Sequence, residues 1–224
     1  MMEEARAYEE LRVGFTAAVS HELRTPLARL LALLESAALP GGDRDALLAK
    51  AREQVEEMSE LVDDVLFLSE LESGREVVAL GSTPALPVLE EVHDRLADSA
   101  ERADVDIVVD APPAVELPLR RRMLYVVAEN LAENAIRYAG PGATLTLGAR
   151  TGVLEANDDG RGIEEDELPR LFERFFRSDR ARASRGTGLG LAIVKHVVAS
   201  AGGEVHASGG PGRGLQIRCT FPAP

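Results

Sequence analysis

Apolar residues recur every three or four positions through most of the first 75 residues, which is the spacing of one helix face. A break at residues 39–43, which contains a proline and two glycines, divides this stretch into two predicted helices. Asp43 is suited to cap the second helix, which the pattern extends to about Leu71. In that helix the apolar positions advance by three and four residues in turn, as in a heptad seam: Leu48, Ala51, Val55, Met58, Val62 and Val65.

A heptad seam of this kind most often builds a core and carries no chemistry of its own. Two helices alone, however, bury too little apolar surface to be stable. We therefore expect a second copy of the chain to pair through residues 1–75, so that two antiparallel hairpins form a four-helix bundle.

The pattern changes after a predicted linker at residues 76–83. Short runs rich in β-forming residues alternate with helical patterns, and this interleaving is typical of a sheet covered by helices. Residues 84–224 are therefore predicted to form an α/β sandwich with a mixed sheet, and the whole chain to be a two-domain α+β protein. The predicted strands are 105–109, 144–147, 152–156, 204–207 and 215–221, and the predicted helices are 85–103, 120–138 and 189–201.

Composition narrows the possible partners. The 224 residues carry a formal net charge of −13, so wrapping nucleic acid or lying on an anionic membrane is not expected. No apolar run is long enough to span a bilayer, so we expect no membrane segment in this chain. The single cysteine, Cys219, rules out an internal disulfide and fits a reducing compartment.

The first candidate for chemistry is the string Ser-His-Glu-Leu-Arg-Thr-Pro-Leu at residues 20–27. Pro26 lies inside a helical pattern, where its ring and missing N–H favour a kink. His21 and Thr25 are four residues apart and share a face. A carboxylate such as Glu22 can hold one imidazole nitrogen and leave the other as a nucleophile. A His-Glu pair alone is more often a solvated surface pair.

The second candidate is an anion site without a Walker loop, because no G-x-x-x-x-G-K-[ST] string occurs. Asn130 and Asn134 project from one face of a predicted helix, and amide oxygens suit a Mg²⁺ ion held mostly by phosphates and water. Arg137 can reach the same anion, and Tyr138 can stack on a base. Two asparagines on a helix are, taken alone, more often polar surface.

A third candidate follows a predicted strand. Asp158 can accept a hydrogen bond from an exocyclic amine such as that of adenine. Gly160 and Gly162 would let a planar ligand approach the backbone closely. The D-x-G-x-G pattern by itself is weak, since turns are rich in Asp and Gly.

The last candidate is a basic stretch that leads into a glycine-rich helix start. Five arginines within twelve residues suggest an anionic partner in so acidic a chain, although a solvated loop is an equal alternative. Glycines that run into an apolar helix leave backbone N–H groups free for phosphate, and residues 175–188 are suited to close over a nucleotide as a lid. The residues concerned are Arg174, Arg177, Arg180, Arg182 and Arg185, followed by Gly186, Thr187, Gly188, Leu189 and Gly190.

Residues 20–27 resemble the phospho-acceptor box of bacterial sensor histidine kinases. The four elements between Asn130 and Gly190, in that order, resemble the ATP-binding domain of the gyrase, heat-shock chaperone and histidine-kinase superfamily, over residues 84–224. The resemblance implies that ATP with Mg²⁺ phosphorylates His21, that Glu22 orients and activates the imidazole, and that an aspartate of a response regulator receives the phosphoryl group. It also implies that Thr25 supports dephosphorylation of that partner.

The same resemblance implies a cytoplasmic location for this segment, within a full-length protein anchored in the inner membrane. Hydrolytic members of the superfamily carry a glutamate four residues before the metal-binding asparagine, and here that position is Asn130. A kinase is therefore favoured over a hydrolytic ATPase or a pseudokinase scaffold. Leu215 departs from the usual Thr or Ser, and arginines replace the Asp-Pro that commonly opens the asparagine-bearing helix.

Overall fold

The computed structural model describes residues 2–39, 43–73, 81–178 and 186–222, with side chains described from residue 18 onward. The chain forms two compact units that divide between Phe67 and Leu68. The first is a helical hairpin and the second is a sheet covered by helices, so the predicted fold class is confirmed.

The hairpin consists of α1 (Met2–Ala38) and α2 (Arg44–Glu72). The backbone N–H of Ala46 donates to Asp43 Oδ1 at 3.0 Å, so Asp43 caps α2 as predicted. α1 continues as a helix through Pro26. Residues 40–42 of the predicted break lie outside the described residues.

The predicted heptad seam of α2 is divided between buried and exposed positions. Ala51 of the seam is buried, as is Leu61 on the same helix, whereas the seam residues Leu48, Val55 and Val62, which are spaced seven residues apart, are 41–49% exposed. On α1 a second apolar stripe is exposed at Leu27, Leu31 and Leu34. The hairpin therefore presents more apolar surface to water than isolated surface residues would.

The second unit is built around one mixed sheet. In chain order its elements are β1 (Thr83–Pro84), α3 (Ala85–Ala103), β2 (Val105–Asp110), β3 (Glu116–Leu117), α4 (Arg121–Tyr138), β4 (Ala143–Arg150), β5 (Val153–Asp158), a 3-10 turn (Leu168–Arg170), α5 (Gly190–Ser200), β6 (Glu204–Gly209) and β7 (Leu215–Thr220). The strands of the sheet lie in the order β2-β4-β5-β7-β6, with β2 parallel to β4 and the other neighbours antiparallel. A two-stranded pair, β1 with β3, is separate from this sheet.

One face of the sheet forms the core. Leu147 pairs with Ala156, which pairs with Ile217, and all three are at most 4% exposed. Helices α3, α4 and α5 contact the sheet. The predicted strands and helices are all present, with bounds shifted by three residues at most; the two-residue strands β1 and β3 were not predicted, because they are too short to show a periodicity.

Cys219 lies in this core and is fully buried. Burial raises the pKa of its thiol to about 12, because an apolar surrounding disfavours the thiolate. The side chain therefore acts as a small apolar core residue, as predicted.

Two glycines of the loop before β7 have the same backbone conformation but different surroundings. Gly214 has φ +70°, and a Cβ there would collide with the carbonyl oxygen of Asp158. Gly212 has φ +69°, and a Cβ there would meet open space. The left-handed backbone costs any other residue about 1 kcal/mol, but only Gly214 also lacks room.

Gly214→Ala is therefore expected to lower the free energy of unfolding by about 3 kcal/mol, since backbone strain and a steric collision add. Gly212→Ala is expected to cost about 1 kcal/mol. Urea unfolding followed by circular dichroism measures both. Equal losses in the two variants would contradict the close approach of Gly214 to Asp158.

Candidate functional site

Two asparagines of α4 are half-buried, one turn apart. Asn130 Nδ2 donates to the carbonyl oxygen of Val126 at 2.8 Å. Its Oδ1 lies against Gly190, where a Cβ would collide with it. Asn134 has no hydrogen bond to any described residue, so its amide oxygen is available to a ligand. The structure thus gives the two predicted metal ligands different surroundings.

The end of α4 meets the glycine-rich segment before α5. A Cβ on Gly186 would lie 3.0 Å from the Tyr138 hydroxyl and 3.1 Å from Arg137 Nη1. Arg137 Nη2 also forms an ion pair with Glu133 Oε2 at 3.3 Å. The predicted ligands on α4 and in the glycine segment therefore lie side by side.

The start of α5 is held by backbone contacts. Phe175, which has φ +62°, donates its N–H to the carbonyl oxygen of Gly188 at 2.9 Å. Thr187 Oγ1 accepts the N–H of Leu189 at 3.2 Å. No side chain caps α5, so the N–H groups of its first turn, which begins at Gly190, can bind an anion.

Asp158 closes β5 and is 6% exposed. Its Oδ1 accepts the N–H of Gly160 at 3.0 Å and that of Leu215 at 3.3 Å. Burial raises the pKa of this carboxyl group, and the two backbone hydrogen bonds offset part of the effect. No described residue donates to Oδ2, which leaves that oxygen for an amine donor.

The turn after Asp158 is wedged between two other segments. Arg161 donates its N–H to the carbonyl oxygen of Ala139 at 2.8 Å, and a Cβ on Gly160 would collide with the Ala139 backbone. Gly162 has φ +66°, and a Cβ there would collide with the carbonyl of Gly210.

The loop at residues 209–214 therefore packs against the turn that follows Asp158, which is the candidate adenine site. We did not predict a role in the site for Gly210 or Gly214. The signal was present as the run Gly-Gly-Pro-Gly-Arg-Gly, which is too rich in glycine for an ordinary turn.

The predicted arginines separate into two groups. Arg174 and Arg177 are half-buried, and Arg174 forms an ion pair with Glu72, the last residue of α2. Glu72 was not predicted to have any role. Arg180, Arg182 and Arg185, with half of the predicted lid, lie outside the described residues.

The predicted phospho-acceptor residues lie on α1, in the other compact unit. His21 and Thr25 are exposed, and Glu22 is half-buried. The imidazole is therefore open to solvent on the hairpin, with Thr25 one turn further along the same helix.

Acidic side chains near the asparagines are occupied by other contacts. Glu129 accepts a hydrogen bond from Tyr125 at 3.0 Å and lies 3.9 Å from Arg95. Glu133 contacts Arg137. Over the described part of the chain, no group of three or more His, Cys, Asp or Glu side chains could hold a metal ion, so a cation here would depend on amide oxygens and on the phosphates of its ligand.

Comparison with known families identifies both units. Residues 11–74 match the model of the His Kinase A (phospho-acceptor) domain. Residues 120–224 match the model described as histidine kinase-, DNA gyrase B-, and HSP90-like ATPase.

Two curated relatives cover nearly all of this chain. The sensor-like histidine kinase SenX3 of Mycolicibacterium smegmatis is 34% identical over 96% of this chain and 58% of its own length. The phosphate regulon sensor protein PhoR of Pseudomonas aeruginosa is 35% identical over 95% of this chain and 50% of its own length. The chain thus spans about half the length of the relatives that it matches.

Solved structures show the same arrangement of elements. The histidine kinase AdeS of Acinetobacter baumannii has a TM-score of 0.71 and 26% identity, over 90% of this chain and 97% of that one. Full-length ShkA in complex with AMPPNP has a TM-score of 0.61 and 29% identity, over 93% of this chain and 46% of that one. ThkA in complex with the response regulator protein TrrA has a TM-score of 0.75 over 99% of this chain and 65% of that one. At 20% identity it supports the fold alone.

No helix in the described ranges is both long and apolar enough to cross a membrane. The relatives, the two matched domains and the predicted motifs agree with one another. The chain belongs to the sensor histidine kinases, and it is a transmitter module that carries their phospho-acceptor and ATP-binding domains.

Proposed function

We propose that this chain phosphorylates its own His21 from Mg–ATP and passes the phosphoryl group to an aspartate of a response regulator. The observation that carries the proposal is that His21 is exposed within the phospho-acceptor string, while Glu129 and Glu133, the acidic residues next to the two asparagines, are engaged by other side chains. The proposed domains are residues 1–75 for dimerisation and phosphotransfer, 76–83 as linker and 84–224 for ATP binding.

The nucleotide is held from both ends in this proposal. Asp158 Oδ2 accepts the exocyclic amine of adenine, while Gly160 and Gly162 let the turn after Asp158 pack closely against Ala139 and Gly210. The N–H groups at the start of α5 bind phosphate oxygens, because the helix dipole favours negative charge there. Tyr138 contacts the nucleoside, and further phosphate contacts come from Arg137, Arg177, Gly186, Thr187, Gly188, Leu189 and Gly190.

Asn134 fits a Mg²⁺ ion better than Asn130 does. Its amide is not engaged by a described residue, whereas Asn130 donates to its own helix and faces Gly190. We therefore propose Asn134 as the main protein ligand, with Asn130 beside it. The ion would neutralise charge on the phosphates.

At the phospho-acceptor, one ring nitrogen of neutral His21 attacks the γ-phosphorus, the bond from that phosphorus to the β–γ bridging oxygen breaks, and ADP leaves. Glu22 accepts a hydrogen bond from the other ring nitrogen and so stabilises the charge that develops. The phosphoryl group then passes to the receiver carboxylate. Thr25, on the same face as His21, positions a water molecule that hydrolyses the phosphoaspartate of that partner and releases inorganic phosphate.

Contacts of the acidic residues on α4 weigh against the rival ATPase function. A hydrolytic base must reach a water in line with the γ-phosphate. Glu129 is engaged by Tyr125 and Glu133 by Arg137. A pseudokinase would need a damaged nucleotide site, whereas this sequence keeps the residue types that the proposed site requires.

We also propose that the chain acts as a homodimer in the cytoplasm, where ATP and the response regulator are found. The exposed stripes on α1 and α2 would be buried in a four-helix bundle formed by two hairpins. The full-length protein would be anchored in the inner membrane.

Incubation with γ-labelled ATP tests the reaction. The wild-type chain should acquire label that is stable in base and lost in acid, and His21→Ala should remove it entirely. His206→Ala is the matched control, because His206 is exposed on β6 and should leave labelling unchanged. Label retained in His21→Ala would exclude this mechanism, and ATP turnover without label would favour the ATPase.

Asp158→Asn separates binding from stability. The amide keeps an oxygen for the two backbone N–H groups but replaces the buried charge, so nucleotide affinity should fall about tenfold or more. Because the pKa of Asp158 is raised in the fold, its ionised form costs stability as pH rises from the ordinary aspartate pKa through the raised one. Asp158→Asn should therefore melt higher than wild type at neutral pH and lose that advantage in acid. A lower melting temperature at neutral pH would contradict the burial cost.

Leu31→Glu tests the dimer. The side chain is 58% exposed, so a charge there need not disturb a single hairpin but would be buried in the bundle. Sedimentation should show a monomer at micromolar concentration. Arg29→Glu, which introduces the same carboxylate at an exposed position of α1 and changes the net charge even more, should remain dimeric. An unchanged dimer in Leu31→Glu would remove α1 from the interface.

A further inference from the structure

The last turn of α2 belongs to the compact unit that holds the nucleotide site. The phospho-acceptor family model extends to residue 74, yet the compact division falls between Phe67 and Leu68. Leu68 and Leu71 are 1% and 5% exposed. The end of this helix therefore groups with the second unit.

Glu72 ends that turn, and its carboxylate forms an ion pair with the guanidinium of Arg174. The two side chains are 26% and 30% exposed, so water screens the pair less than it screens a surface pair. Glu70, on the same turn, is exposed and has no side-chain contact with a described residue. The pairing is thus specific to Glu72 and is not a general property of this acidic helix end.

Arg174 immediately precedes a strained and closely packed backbone position. Phe175 has φ +62° and donates its N–H to the Gly188 carbonyl at 2.9 Å. A Cβ on Gly188 would lie 2.9 Å from the Phe175 Cα, so the two backbones are in direct contact. A shift of Arg174 would therefore move Gly188, which lies two residues before the start of α5.

We propose that Glu72 is a positioning residue of the nucleotide site. It holds Arg174, and Arg174 holds the turn at Phe175 that sets the place of the glycine-rich loop. This rests on the nucleotide site of the proposed function, but not on phosphorylation of His21. It also means that Arg174 serves the site through Glu72, and that direct phosphate contact is not its main role.

The first test is Glu72→Gln in the full chain, which keeps the shape of the side chain and removes its charge. ADP affinity by calorimetry should weaken about fivefold, and KM for ATP in autophosphorylation should rise by the same factor, with kcat changed less than twofold. Glu70→Gln is the matched control and should leave all three unchanged. A lowered melting temperature with unchanged ADP affinity would show a merely structural pair and overturn the proposal.

The second test exchanges the charges. Glu72→Arg and Arg174→Glu should each weaken ADP binding, and the double variant should return to within about twofold of wild type. A double variant no better than Arg174→Glu alone would mean that the arginine itself binds phosphate, and would overturn the proposal. ADP binding is independent of His21, so loss of label with intact ADP binding would count against the kinase proposal alone.

Discussion

In the second unit, the turn after β5 and the loop before β7 are arranged around a buried carboxylate at the end of a central strand. Asp158 can remain nearly inaccessible to water because two backbone N–H groups approach one of its oxygens and glycines surround it on both sides. The carbonyl oxygen of Asp158 lies where a side chain on Gly214 would have to stand. Because a buried carboxylate is costly unless its oxygens accept hydrogen bonds, a donor at Oδ2 would stabilise the charged form.

Binding of a polyanion by a chain with a net charge of −13 requires a local solution. The overall field opposes ATP, so attraction must come from groups that are close and oriented. The structure supplies them at one place, where the uncapped start of α5 lies near the end of α4 with Arg137 and Tyr138. Gly188 is required there because its φ is +70° and a Cβ would lie 2.9 Å from the Phe175 backbone.

Periodicity predicted the elements well, and the candidate residues predicted at the end of α4 and in the glycine-rich segment lie side by side in the structure. The strands of the central sheet alternate clearly, and α3 was predicted at its observed bounds. What pattern reasoning could not supply were contacts between residues distant in sequence. The support of Gly162 by Gly210, the closeness of Asn130 to Gly190 and the pairing of Glu72 with Arg174 depend on tertiary structure. The α2 seam was interpreted as one face because a heptad pattern does not distinguish inner from outer positions.

The surroundings of His21 and of the nucleotide site place complementary demands on the two units. In the proposed reaction the imidazole of His21 reacts first with a nucleotide and then with a second protein, so it has to be reachable, and His21 is exposed on α1. A site that must keep ATP until that imidazole arrives has to lack a base for water, and both glutamates next to the asparagines are tied to other side chains. If either condition failed, ATP would be hydrolysed or the phosphoryl group would never leave the nucleotide. The proposed transfer therefore agrees with the exposure of His21 on the hairpin and with the engagement of Glu129 and Glu133 by other side chains.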